Sequence, residues 1–212
     1  MKNFKLLSAL AICLMALAFT SCNTSDDNGV KLPTTQEAYA MMSQFSGTHQ
    51  CGILFPEDNS NNITKDSITT SIRINAMDST YTISNFPVSL LAKYVKDDAL
   101  AKAIQALPNQ AVTGHLLAHM NSTVESPLFG TVTDNIAFKS DDKNYSLVFY
   151  AGYYSQYALA GKGQDKEKKN CFLLYLTPGA ILNGQSQVSN ALKTATSVYG
   201  NIPYTITLRY YL

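Results

Sequence analysis

Apolar residues run almost unbroken from Leu6 to Phe19, and no later stretch of the 212-residue chain matches that length. Beyond Gly29 the pattern turns periodic. Ala38, Met41, Met42 and Phe45 recur at helical spacing behind Pro33. Thr34 and Glu37 stand three apart as a capping box, and Gly47 supplies the stop, which together predict one short amphipathic helix. THQCGILFP, SITTSIRINA and STYTISNFP then alternate with a period of two; Ile68, Ile72 and Ile74 share one parity, as do Tyr81 and Ile83. Three strands in a meander are expected, ended by Pro87, which cannot donate to a ladder.

VSLLAKYVKDDALAKAIQAL reads as two helical pieces, one carrying Val88, Leu91, Ala92 and Val95, the other Leu100, Ala103, Ile104 and Leu107, with Asp97 or Asp98 as the cap between them. From AVTGHLLAHM onward the pattern is strand-like again, through FGTVTDNIAFKS, NYSLVFYAGYYSQYALA and NCFLLYLTPGAIL. SDDKN is a hairpin-type turn and GKGQDKEKKN a longer charged connection. A further helix is expected over 187–199, and the closing IPYTITLRYYL should be a paired strand, because a free apolar terminus frays and invites aggregation. Seven or eight strands with short turns and a few helices imply an α+β fold, mainly antiparallel β: a curved sheet, sandwich or open barrel with a few packed helices. Residues 34–212 are expected to form a single globular domain.

The apolar run has its own meaning. Two lysines precede it, it is about fourteen residues long and too short to span a bilayer comfortably, and small residues follow it, as in a secretory leader. FTSCNTSDDNG, residues 19–29, resembles the lipobox of bacterial lipoproteins: Thr20 and Ser21 precede Cys22, with Phe19 where leucine is usual. The resemblance implies a signal peptide over 1–21, lipidation of Cys22, a flexible polar tether over 22–33, and an address at the outer membrane, on its surface or its periplasmic face. Several acyl chains on one cysteine hold essentially for good, since each buried methylene contributes about 0.8 kcal/mol. Ser25-Asp26-Asp27 is similar to the short acidic signal of surface-exported lipoproteins, and equally suits a solvated linker. Of four cysteines, Cys13 leaves with the leader and Cys22 takes lipid, so Cys51 and Cys171 are left either to pair or to remain two buried free thiols.

Charge narrows the partners. With Lys2 and Lys5 assigned to the leader, 14 basic residues stand against 15 acidic ones, which supplies no basic face for a nucleic acid. His115 and His119 are four apart, but Leu116 stands where a metalloprotease carries its glutamate, and on a strand the two imidazoles would be about 13 Å apart. No metal site is expected. G-x-S-x-G and phosphate-binding glycine loops are absent, and Asp97-Asp98 and Asp141-Asp142 read as caps and turns, so neither a catalytic set nor a cofactor is assigned. Lys162, Lys166, Lys168 and Lys169 are diluted by Asp165 and Glu167 and read as a solvated loop. Tyrosine is the distinctive residue: Tyr145, Tyr150, Tyr153, Tyr154 and Tyr157 crowd one segment, and Tyr204, Tyr210 and Tyr211 sit in the last strand. Tyr150, Tyr153, Tyr154 and Tyr157 are the candidate ligand-facing aromatics; core packing is the other use of such residues.

The lipobox, the tether, the helix leading into the strand from Gly47 to Gly52, and the passage STYTISNFPVSLLA together resemble small lipoproteins of gut Bacteroidetes, and within those the domain-of-unknown-function family DUF4840. That resemblance implies location more than activity. The functional expectation is a lipid-anchored envelope or cell-surface binding or accessory module for a glycan, peptide or partner protein. The alternative is an extracytoplasmic hydrolase whose dispersed site sets His49, His115 or His119 beside a serine or carboxylate. Cells expressing the wild-type chain should incorporate radiolabelled palmitate and those expressing Cys22→Ser should not; an unlabelled wild type removes the anchor.

Overall fold

A computed structural model of the chain describes residues 31–56, 68–152, 155–197 and 200–212. The leader, Cys22, the acidic tether residues, and Tyr153 and Tyr154 lie outside the described residues. The first helix, α1 (Thr35–Ser43), has the capping box: the Glu37 amide donates to Thr34 Oγ1 at 3.2 Å and the Thr34 amide donates to Glu37 Oε2 at 2.8 Å. Its apolar stripe buries Met41 and Met42, and Phe45 follows into the rings of Phe129 and Phe172, centroids 6.1 and 4.9 Å away.

Strands β1 (Gly47–Leu54), β2 (Ile68–Asn75) and β3 (Thr80–Phe86) form the expected meander. A 3-10 helix (Val88–Tyr94) and α2 (Asp98–Gln105) follow; the Leu100 amide donates to Asp97 Oδ1 at 2.9 Å, which makes Asp97 the cap. The chain then lays down β4 (Gln110–Ala118), β5 (Leu128–Thr133), β6 (Ile136–Ser140), β7 (Lys143–Phe149), β8 (Leu159–Gln164) and β9 (Asn170–Leu176). It finishes with β10 (Pro178–Asn183), β11 (Ser186–Gln187), β12 (Thr194–Ser197), β13 (Gly200–Pro203) and β14 (Ile206–Tyr211). Eight of these close a barrel in the order β1-β14-β9-β8-β5-β4-β3-β2, every neighbour antiparallel. It is an up-and-down barrel with two excursions, β6–β7 and β10–β13. The excursions meet: β7 pairs with β10, giving a second sheet in the order β11-β10-β7-β6.

The fold is thus α+β and mainly antiparallel, and the barrel is closed because Gly52, Ile53 and Leu54 of β1 pair with Arg209, Leu208 and Thr207 of β14. The terminal strand is paired, as its apolar pattern requires. The described part of the helix expected over 187–199, residues 187–197, is not helical. Gly184 (φ +62°) and Asn190 (φ +52°) turn the chain there, and neighbours satisfy its backbone: the Val188 amide donates to the Ile181 carbonyl, and the Lys96 amide to the Ala191 carbonyl, each at 2.8 Å. β-Branched Thr194 and Thr196 then pair in the β12–β13 hairpin.

An eight-stranded barrel is just wide enough for side chains to fill. Ile72, Ile74, Tyr81, Phe129, Phe172 and Leu174 are each at most 1% exposed. Tyr81 shows how closely the interior is fitted. Gly114 lies between Tyr81 and Thr133 in the ladder, and a Cβ on it would come within 2.6 Å of the Tyr81 phenol. Only glycine lets that phenol cross β4 to share a 2.6 Å hydrogen bond with Thr133 Oγ1.

The two remaining cysteines are both free and buried, so the disulfide alternative gives way to two thiols. Cys51 belongs to the apolar core, and burial pushes its thiol up to about 11. Cys171 lies on β9, opposite Tyr211, with β14 between it and β1. Two interstrand spacings are about 9.6 Å, beyond the ~7 Å that a disulfide can bridge.

Thr133→Val leaves the buried Tyr81 hydroxyl without its partner and should lower unfolding free energy by about 1–3 kcal/mol in urea denaturation. The neighbouring Thr131→Val should be neutral or slightly stabilising, because the buried Thr131 hydroxyl makes no hydrogen bond among the described residues. Equal losses in the two variants would remove the Tyr81–Thr133 bond as a distinct contribution.

Candidate functional site

Alternation along β9 and β14 sends Phe172, Leu174 and Leu176, and Ile206, Leu208 and Tyr210, into the core. Their neighbours Leu173, Tyr175, Thr207, Arg209 and Tyr211 therefore face the outer wall, and the β8–β9 connection stands beside them. These residues, with Leu54 and Gln164 to Glu167, line a cleft of about 420 Å³.

The connection is ordered by one carboxylate. Asp165 Oδ1 accepts from the Glu167 and Lys169 amides, both at 2.9 Å, and this holds the five-residue turn in which Lys168 takes φ +61°. Asp165 Oδ2 accepts from the Tyr211 hydroxyl at 2.9 Å, which ties the turn to the last strand. These donors, led by the Lys169 amide, hold the Asp165 carboxyl below the usual carboxylate range; the Arg209 charge adds to them. The Tyr211 hydroxyl is correspondingly pushed up because it donates to that carboxylate. Lys169 Nζ and Glu167 Oε2 are paired at 2.7 Å. The Arg209 guanidinium lies 5.3 Å from the centroid of the Tyr211 ring, which is 53% exposed. Tyr175 is half-buried and its phenol is pushed up by burial.

Of the candidate ligand-facing aromatics, the two among the described residues, Tyr150 and Tyr157, lie elsewhere. Tyr150 and Tyr157 sit with ring centroids 5.4 Å apart, and a Cβ on Gly179 would reach within 3.2 Å of the Tyr150 ring, so that glycine makes room for it. Tyr150 edges a second depression of about 250 Å³ with Ile181, Asn190 and Lys193. Tyr145 packs on Phe138 at 5.6 Å, while Tyr204 and Tyr210 are core residues.

The imidazoles are dispersed. His49 stacks on Tyr210 at 4.3 Å and its Nε2 is 3.0 Å from the Phe45 carbonyl oxygen. His115 lies within β4, opposite Val132, and His119 lies past the end of that strand with Nδ1 2.9 Å from the Met120 carbonyl oxygen. Among the described residues, no group of three His, Cys, Asp or Glu side chains could hold a metal ion. No helix among them is long and apolar enough to cross a membrane.

Tyr175, Arg209 and Asp165 escaped the sequence reading. The alternation in ITLRYYL marks Thr207, Arg209 and Tyr211 as one face, which was a usable signal; that β9 and the charged connection stand beside that face was not.

A family model described as Domain of unknown function (DUF4840) matches residues 44–177, more than half of the chain. No curated protein and no solved structure matches it.

Because Asp165 titrates low, the order it imposes on the turn is present above the ordinary aspartate pKa of about 3.9 and is lost as pH falls through its folded value. Tyr211→Phe removes one donor and should raise the Asp165 midpoint toward the ordinary value in a carboxyl NMR titration; an unmoved midpoint excludes the Tyr211 hydroxyl as a contributor.

Proposed function

The chain belongs to the DUF4840 family, and on that footing we propose that it is a lipid-anchored binding module of the bacterial outer membrane, held through Cys22, that engages its ligand in the cleft beside β14. The observation that carries this reading is the cleft itself. Its volume of about 420 Å³ falls in the range of small-ligand sites. Two tyrosines and an arginine are set on strands rather than on a loop, and the charged connection beside them is fastened by Asp165.

The anchor and the cleft suit each other in chemistry. A polar tether after the lipidated cysteine would leave the domain in water, where a ligand must be captured from solution or from a neighbouring surface polymer. Aromatic rings with polar tips serve that purpose, offering apolar area at low conformational cost.

The test is a panel of glycans and peptides screened against the chain lacking its leader and against the same chain with Tyr175→Ala and Tyr211→Ala together. A ligand retained by the wild type should bind the double variant at least about tenfold more weakly, equivalent to about 1.4 kcal/mol. Unchanged affinity in the double variant, with wild-type near-ultraviolet circular dichroism, removes the cleft as the ligand face.

A further inference from the structure

Resting on the cleft as the ligand face, we infer that it selects a carboxylated sugar, with Arg209 as the group that reads the carboxylate. Asp165, Glu167, Lys166 and Arg209 give the cleft two charges of each sign, and the four are engaged unequally. Asp165 is engaged by two backbone amides and the Tyr211 hydroxyl, and Glu167 is paired with Lys169 at 2.7 Å. Arg209 and Lys166 have no carboxylate partner within ion-pair distance among the described residues. Arg209 is half-buried on the strand with its guanidinium 5.3 Å from the centroid of the Tyr211 ring, whereas Lys166 is exposed on the turn. A guanidinium matches a carboxylate with two parallel N–H···O bonds, a geometry that a neutral hydroxyl does not reproduce.

The rest of the cleft distinguishes a sugar from an acidic peptide. A peptide most readily docks on a sheet by adding a strand to a free edge, and here β1, β14, β9 and β8 are all paired on both sides within the closed barrel. Recognition must come from side chains alone. Tyr175 and Tyr211 line the cleft, and aromatic side chains there suit the C–H face of a pyranose. Gln164 gives its amide nitrogen to Asn170 at 3.3 Å and keeps its carbonyl oxygen for a hydroxyl.

The probe is an oligogalacturonide, compared with the neutral galactose oligomer of the same length and with a short poly-glutamate, each titrated into the isotopically labelled domain and followed by NMR. The acidic oligomer should bind with shifts centred on β9, β14 and the 165–169 turn, and the neutral oligomer at least about tenfold more weakly. Arg209→Gln should abolish that preference, while Arg209→Lys, which keeps the charge and loses the fork, should retain part of it. Raising the ionic strength should weaken the acidic oligomer alone. Equal binding of the two oligomers at the cleft, unaffected by Arg209→Gln, overturns the acid selectivity and leaves the cleft as a sugar site. Poly-glutamate bound as tightly through Arg209 overturns the sugar assignment. Shifts confined to another surface, or binding by none of the probes, overturn this inference; the double tyrosine variant then decides the fate of the cleft separately.

Discussion

Closure of the barrel by β14 against β1 is the constraint on which the other features of the domain depend. β14 is the strand that removes both edges of the sheet, since it pairs with β9 on one side and with β1 on the other. That pairing also fixes parity along β14. Ile206, Leu208 and Tyr210 must go inward to fill the barrel, and the same register leaves Thr207, Arg209 and Tyr211 on the outer wall beside Tyr175. A register slip of one residue would bury the guanidinium and expose the apolar set. The cleft is therefore a by-product of closure held in place by the core.

The interior of the barrel is filled by its own side chains. Phe45, Phe129, Phe172, Tyr81 and Tyr210 bring large rings into the core from the turn after α1 and from four strands, and a barrel of this strand number has space for little else. The fit reaches the level of single atoms at Gly114, where the absence of a Cβ is what allows a tyrosine to meet a threonine two strands away. The excursions obey the same economy. β6–β7 and β10–β13 leave the barrel at separate points, yet each covers the other's edge by pairing β7 with β10, and their inward residues Ile136, Phe138, Leu147 and Ile181 join α2's Leu100 and Ile104 in the continuous core.

Local features of this fold were legible in the sequence because their causes are local. The capping box at Thr34, the Asp97 cap, the parity of Ile72 and Ile74 and the paired final strand each follow from residues a few positions apart. What was not legible has its cause far along the chain. FGTVTDNIAFKS reads as one strand and is two, β5 in the barrel and β6 in the second sheet, because the break at Asp134-Asn135 matters only where a second sheet exists to receive β6. Residues 187–199 carry helix-compatible alanine, but their backbone partners are Ile181, Tyr94 and Lys96, supplied by elements that periodicity cannot place. Cys51 and Cys171 looked equivalent until strand order put β14 between them.

The cleft combines both kinds of cause, and this gives it order before any ligand arrives. Asp165 organises its own turn through bonds two and four residues away, a local device, and then reaches Tyr211 across 46 positions of sequence. Without that long bond, the Tyr211 ring would be free to rotate at the end of the chain, and each ordered side chain would cost a ligand about 0.5–1.5 kcal/mol on binding. With it, the ring is oriented, the Arg209 guanidinium has an aromatic face to lie near, and the acidic group nearest that guanidinium is already engaged by hydrogen bonds. The Asp165 carboxylate thus stays charged beside the Arg209 guanidinium while its own oxygens accept from the turn and from Tyr211.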